Sequence, residues 1–210
     1  VSNLTAEQFA IAQNVSRETF LRLEAYVALL TKWQAAINLV SRETLDDVWR
    51  RHIQDSAQLA ALIPAAAETI TDLGSGAGLP GLVLAILLEK PVHLIESAGK
   101  KASFLHEAAR LTGATAIVHQ DRIEAVPPFV SDVVTARALA PLDRLLTYAS
   151  RFSGPETLFL FPKGARVDDE LTAAAKSWTM DVTRHQSLTD DDGVILAIRS
   201  VVRGGSTGNI

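Results

Sequence analysis

The sequence has no cysteine among its 210 residues. This removes disulfides, thiolate metal ligands and thiol nucleophiles, and it suits a reducing compartment. Proline and glycine are missing before Pro64, so the preceding stretch reads as continuous helical material and not as a linker. Long apolar runs are missing too. The longest, Leu82 to Leu88, falls far short of the ~18 residues that a membrane-spanning helix needs. The first residues carry Glu7 and no basic segment, so no secretory signal is expected and the protein reads as cytoplasmic. Positive charge is not in excess. A net charge of -4 argues against coating nucleic acid by bulk charge and leaves room only for a local basic patch. Five histidines (His52, His93, His106, His119 and His185) show no metal-ligand spacing, and no metal is expected.

What is present divides in two. Thr5 to Gln8 fits a capping box, and Ser16 suits an N-cap for a longer helix with Phe20, Leu23, Val27, Leu30 and Trp33 at three- and four-residue steps. Thr44 is expected to cap a third helix running towards Pro64. After Ala67, short β-rich runs alternate with helical ones. Strands are expected at 69–72, 92–96, 115–119, 131–135 and 157–161, with helices at 79–89, 99–112, 141–150 and 167–177. Such alternation implies an α/β fold with a mostly parallel sheet. The runs 180–188 and 193–202, joined by a short acidic turn, must pair antiparallel as a hairpin. The expected division is a helical extension over residues 1–66, a ligand-binding α/β domain over 67–203 and a flexible tail over 204–210.

The most specific stretch is Asp72-Leu73-Gly74-Ser75-Gly76-Ala77-Gly78-Leu79-Pro80-Gly81, between a strand and a helix. Four glycines in eight positions are costly unless the backbone must turn sharply or approach a ligand. From Gly76 the run fits G-x-G-x-x-G, with Glu96 twenty residues on, the dinucleotide fingerprint. From Asp72 it fits D-x-G-x-G-x-G and resembles the S-adenosylmethionine loop of class I methyltransferases. In that register Asp72 meets the ligand's ammonium, Gly74, Gly76 and Gly78 give it room, and Glu96 accepts from both ribose hydroxyls. The terminal hairpin also suits that family, a Rossmann-like fold with a seven-stranded sheet.

Further motifs sharpen the likeness. Asn38-Leu39-Val40-Ser41, Arg51-His52-Ile53-Gln54-Asp55-Ser56, Glu96-Ser97, Gly99-Lys100-Lys101, Phe104-Leu105, Arg122-Ile123-Glu124, Arg137-Ala138 and Pro162-Lys163-Gly164 accompany the glycine turn. Together they make the chain resemble the RsmG/GidB family, the 16S rRNA guanine-N7 methyltransferases, over nearly its whole length. The resemblance implies S-adenosylmethionine as cofactor, with contacts at Gly74, Leu79, Ile123, Glu124 and Arg137. It also implies 16S rRNA, the small ribosomal subunit or an assembly intermediate as partner, and a monomer is expected. Ala77 departs from the proline common at its position, a mild change.

Guanine N7 carries a lone pair and no proton, so its methylation needs positioning and electrostatics and no general base. Arg137 and Lys163 are the candidates for that role. Arg50, Arg51, Lys100, Lys101, Arg144, Lys163 and Arg166 are candidates for RNA contact. His52, Asp55 and Ser56 lie side by side on one helix, which is not the geometry of a catalytic triad. They read as a structural cluster joining the helical start to the core. Trp33, Trp49 and Trp178 read as packing. Two alternatives stay open at this level: a methyltransferase for a small molecule, and an NAD(P)-binding oxidoreductase.

Overall fold

Thr5 and Ser16 start the first two helices as their side chains allow. In α1 (Ala6–Gln13) the Gln8 amide donates to Thr5 Oγ1 at 3.2 Å and the Thr5 amide donates to Gln8 Oε1 at 2.9 Å. In α2 (Arg17–Gln34) the Thr19 amide donates to Ser16 Oγ at 3.1 Å. The computed structural model describes residues 3–204.

The third helix departs from expectation. Instead of one α-helix capped by Thr44, the chain runs through a 3-10 turn at Arg42–Asp47, a π-helical stretch at Trp49–Gln54, the short α3 (Asp55–Ala57) and a second 3-10 turn at Ala60–Leu62. The Asp55 amide reaches the Arg50 carbonyl five residues back. Thr44 is drawn away from capping because its hydroxyl lies 2.7 Å from both the Ser41 carbonyl and His52 Nε2.

Beyond Ala67 the expected alternation holds. The strands are β1 (Ile70–Leu73), β2 (Val92–Ile95), β3 (Ala116–His119), β4 (Val133–Thr135), β5 (Leu158–Lys163), β6 (Trp178–Gln186) and β7 (Val194–Arg203). The connecting helices are α4 (Gly81–Leu88), α5 (Gly99–Thr112), α6 (Leu142–Ala149) and α7 (Val167–Ala174). The sheet order is β3-β2-β1-β4-β5-β7-β6. β1 to β5 run parallel and β7 antiparallel to both its neighbours. Helix α5 has its expected bounds, and α7 stops three residues early. Lys163 ends β5 instead of following it.

Period-two alternation sorts the core into two layers. Leu158 and Leu160 pack with α4, α5 and the N-terminal helices; Phe159 and Phe161 pack with α6 and α7. Helix α4 is apolar on every side and buried from Gly81 to Ile86, because α2 and α3 cover the surface that the sheet leaves bare. The residues expected as an extension thus share one hydrophobic cluster with the sheet. Trp33 stands edge-on to Phe104 at 5.7 Å, and Trp49 lies 5.5 Å from Phe9, so both pack as expected. The expected tail begins at Gly204, whose amide donates to the Ser177 carbonyl at 2.8 Å. The remainder of that tail, 205–210, lies outside the described residues. Among the described residues no helix is long and apolar enough to cross a membrane.

Candidate functional site

β1 and β4 are neighbours, and from this pair the strand order runs outward in opposite directions. Such a reversal opens a crevice beyond the carboxyl ends of the strands. Two segments border it: the glycine turn after β1 and residues 136–141 after β4.

The turn depends on left-handed backbone. Gly74, Gly76 and Gly78 have φ of +65°, +56° and +86°. A Cβ on Gly76 would meet nothing closer than the Gly74 carbonyl oxygen at 3.8 Å, so this backbone faces open space. The Gly76 amide donates to Glu96 Oε2 at 2.9 Å and the Ala98 amide to Oε1 at 2.7 Å. The carboxylate therefore ties the turn to the start of α5, and each oxygen keeps a lone pair. Gly74, Gly76, Glu96, Ile123, Glu124 and Arg137 line one cavity of about 320 Å³, with Lys101 and Tyr148 on its wall. The Glu124 carboxyl is held below the usual carboxylate range by a hydrogen bond from its own amide, then by Tyr148 and the charges of Arg122 and Arg144.

Three expected contacts are not on that cavity. Asp72 is fully buried beneath the turn. Thr135 Oγ1 donates to its Oδ1 at 2.9 Å and the Gly81 amide to its Oδ2 at 3.3 Å. Burial raises its pKa to about 6 against the opposing pull of these bonds, and it has no open path to a ligand's ammonium. Gly78 is held by packing, since a Cβ there would come within 2.8 Å of Leu82 Cβ. Leu79 is buried in the core cluster. The strand end points Asp72 at α4 because α4 crosses over β1 closely. A Cβ on Gly81 would lie 2.6 Å from Asp72 Cβ.

Arg137 occupies the centre. Its Nη1 donates to Asp55 Oδ2 at 2.9 Å and to the Arg51 carbonyl at 3.3 Å, and its Nη2 lies 3.2 Å from His52 Nδ1. Arginine only donates, so Nδ1 must accept. His52 Nε2–H then donates to Thr44, whose hydroxyl donates to the Ser41 carbonyl. The chain is consistent only with neutral His52, and burial followed by the Arg137 charge lowers its pKa to about 4. The expected cluster joining the helical start to the core therefore consists of His52 and Asp55. The Ser56 hydroxyl is buried without a partner.

A second cavity of about 520 Å³ adjoins the first across Arg137, Ala138 and Leu139. Lys163 lies on it, with Nζ donating to Glu170 Oε2 at 2.7 Å and to the Ala140 carbonyl at 3.1 Å. Arg51 and Arg166 line the same cavity, interleaved with Asp55, Glu170 and Asp190. Lys100 is exposed beside the first cavity at the start of α5, and Arg144 lies over the Tyr148 ring at 5.2 Å. Arg50 is paired with Asp47 at 2.6 Å and lines neither cavity. The seven basic candidates are thus not one continuous patch.

Several contributors carry no sequence signal. Tyr26, deep in α2, donates its hydroxyl to the Ala77 carbonyl inside the glycine turn at 2.6 Å. Leu139 lies against Gly74, where an added Cβ would sit 2.6 Å from Leu139 Cδ1. Thr189, from the hairpin turn, donates to Asp55 Oδ1 at 2.8 Å. Each acts across a large separation that no local pattern encodes.

Comparison with known proteins gives the family and the fold. The family GidB, described as rRNA small subunit methyltransferase G, matches residues 20–197. A protein named ribosomal RNA small subunit methyltransferase G from Rhodospirillum centenum is 56% identical over 200 residues, covering 95% of this chain and 93% of its own. Its namesake from Rhodospirillum rubrum is 55% identical, with 95% and 100% covered. Among solved structures, M. jannaschii TYW2 in complex with AdoMet superposes with a TM-score of 0.59 at 14% identity, covering 81% of this chain and 80% of that one. The ribosomal protein L11 methylase of Lactobacillus delbrueckii subsp. bulgaricus gives 0.55 at 21% identity, over 71% and 79%. These two show the shared Rossmann-like methyltransferase fold. The match over most of the length and the identity above one half place the chain in the GidB family of small-subunit rRNA methyltransferases.

Proposed function

We propose that this chain methylates N7 of a guanine in 16S rRNA, using S-adenosylmethionine, and acts as a cytoplasmic monomer on RNA of the small ribosomal subunit. The observation that carries this reading is the pair of adjoining cavities at the β1/β4 switch point, one beside the glycine turn and one where the unpaired Arg51 and Arg166 stand among the ion pairs of Arg137 and Lys163. The bound cofactor supplies an electrophilic methyl group, which passes to the N7 lone pair as the thioether departs.

The chain's own residues bind and orient. Glu96 offers one free lone pair on each oxygen to a pair of ribose hydroxyls. Ile123 gives an apolar surface for a purine face, and the open backbone at Gly76 gives room for the rest. Of the five guanidinium N–H groups of Arg137, three are used within the protein and two remain for a ligand carboxylate, a phosphate or guanine O6. Lys163 adds a cation at the second cavity. Neither group is a base, which suits a nucleophile with no proton to lose. Asp72, with its raised pKa, is walled off from both cavities.

The dinucleotide alternative is disfavoured by the start of α4. A pyrophosphate needs free amides at that helix end. Pro80 has no N–H, and the Gly81 amide is taken by Asp72. The test pairs a thermal-shift titration with base mapping. S-adenosylhomocysteine is expected to raise Tm and NADH to leave it unchanged. Small subunits lacking the modification are expected to gain one methyl group on a guanine N7. Stabilisation by NADH alone, or methyl transfer to another atom, would overturn the reading.

A further inference from the structure

Asp55 is placed unlike the other acids at the site. It sits where the π-helical stretch passes into α3, ahead of β1 and far in sequence from β4 and the β6–β7 hairpin. Its two oxygens are divided between two parts of the protein. Oδ2 accepts from Arg137 at 2.9 Å; Oδ1 accepts from Thr189 Oγ1 at 2.8 Å and from Gln58 Nε2 at 3.0 Å. Gln58 makes the same connection a second time, accepting from the Leu188 amide at 2.8 Å. One carboxylate thus joins the helical start, the segment after β4 and the β6–β7 turn. It does so at the guanidinium where the two cavities meet.

We infer that Asp55 is the positioning residue for Arg137 in methyl transfer, and that the hairpin turn, through Thr189, shares in setting that position. The inference rests on the reading that Arg137 acts on a ligand at the junction. The Asp55–Arg137 contact fixes one Nη of a planar fork, and His52 fixes the other. The remaining N–H groups then point in one direction only. Without these partners, the long arginine side chain would sample several rotamers, and its two free donors would be aimed only part of the time. Asp55 itself need not touch a ligand.

Asparagine at position 55 isolates the effect. It has the same shape but only one acceptor oxygen. Its amide group must therefore face either Arg137 or the Thr189–Gln58 pair, donor against donor. The experiment measures kcat and KM for S-adenosylmethionine and for small subunits lacking the methylation, in four proteins: the parent, Asp55→Asn, Arg137→Ala and the double variant. Asp55→Asn is expected to lower kcat roughly 10- to 100-fold, the scale of a misplacement of about 1 Å, while both KM values stay within about 3-fold. In the Arg137→Ala background the same change is expected to cost less than about 2-fold, since the residue it positions is gone.

An equal loss in both backgrounds would overturn the inference, as would an unaltered kcat in Asp55→Asn. If Asp55→Asn does not fold, Thr189→Val carries the test. It removes one hydroxyl from the hairpin turn and leaves the charge pair in place. A fall of about 3-fold in kcat, absent from the Arg137→Ala background, is expected. No loss, or a loss that persists in that background, overturns the inference. Full kcat in Arg137→Ala alone would reject the reading of Arg137 itself, and that single variant separates the two failures.

Discussion

Two buried titratable side chains near the junction work against each other. His52 is neutral in the fold, with its pKa lowered to about 4 from 6.5, and Asp72 is raised to about 6 from 3.8. A histidine with a depressed native pKa contributes full stability above pH 6.5 and loses it as pH falls towards 4, because the unfolded chain binds the proton first. Asp72 has the opposite sense: ionised at neutral pH inside the core, it regains stability as pH falls from 6 to 3.8. Each excursion is worth about 3 kcal/mol, and the two oppose each other in the parent protein. His52→Gln removes one side of the balance. Urea denaturation at pH 7.5 and pH 4.5 is expected to show the variant gaining about 2–3 kcal/mol relative to the parent at the lower pH. A difference independent of pH would mean that His52 is not held neutral. At the same scale, Gly81→Ala and Gly76→Ala should part ways. The first drives a Cβ to 2.5 Å from Leu94 Cδ2 and 2.6 Å from Asp72 Cβ, and is expected to cost about 3 kcal/mol or more. The second enters open space at a positive φ, and its stability is expected to fall by about 1–2 kcal/mol. S-Adenosylhomocysteine affinity, read by calorimetry, is expected to drop about 10-fold or more in Gly76→Ala, through steric contact with the ligand.

At the scale of elements, α2 reaches into the binding turn. Tyr26 is fully buried, and burial pushes its phenol pKa far upwards, so it can only donate to the Ala77 carbonyl. Tyr26→Phe leaves that carbonyl without a partner and is expected to cost about 1–2 kcal/mol in urea denaturation. Weaker S-adenosylhomocysteine binding should accompany it, because the turn loses its tie to α2. An unchanged affinity would show that the turn holds its shape without α2. The same element explains what could be read in advance. Caps at Thr5 and Ser16 and the bounds of α5 were legible because they depend on neighbours three or four residues away. The stretch 42–62 was not, since π, 3-10 and α turns draw on the same residues and differ only in which carbonyl each amide meets. Glu96 was singled out from its place after β2, whereas Ile123 and Arg137 came from the family resemblance; the structure puts all three on one cavity. The inward turn of Asp72 was not legible: it depends on how closely α4 crosses β1, which is set by packing.

The whole molecule must bind a polyanion with a net charge of -4. The structure divides its cations accordingly. Arg50, Arg137 and Lys163 are neutralised by Asp47, Asp55 and Glu170, whereas Arg51, Lys100, Lys101, Arg144 and Arg166 have no ion-pair partner among the described residues. Of the unpaired set, Arg51 and Arg166 line the second cavity and Lys101 the first, and on the proposed function RNA affinity draws on such local charges and on the shape of the target. Arg51→Ala and Arg166→Ala are each expected to weaken small-subunit binding and to reduce the slope of log affinity against log salt by about one, with S-adenosylhomocysteine affinity unaltered. A filter-binding series from low to high salt reads both. A slope that stays the same would remove that arginine from the RNA contact.

The bonds that close the junction also order events in time. Arg137 finds its partners 82 to 86 residues away, and Asp55 meets Thr189 across 134 residues. Gln58 and Leu188 are 130 residues apart. Contacts of such separation form late, after the loop entropy between them has been overcome. During synthesis, β1, the glycine turn and β4 are all made before residues 188 and 189 leave the ribosome. A chain stopped short of that hairpin keeps every direct partner of Arg137 and lacks only the bonds from Thr189 to Asp55 and from Leu188 to Gln58 that brace those partners from behind.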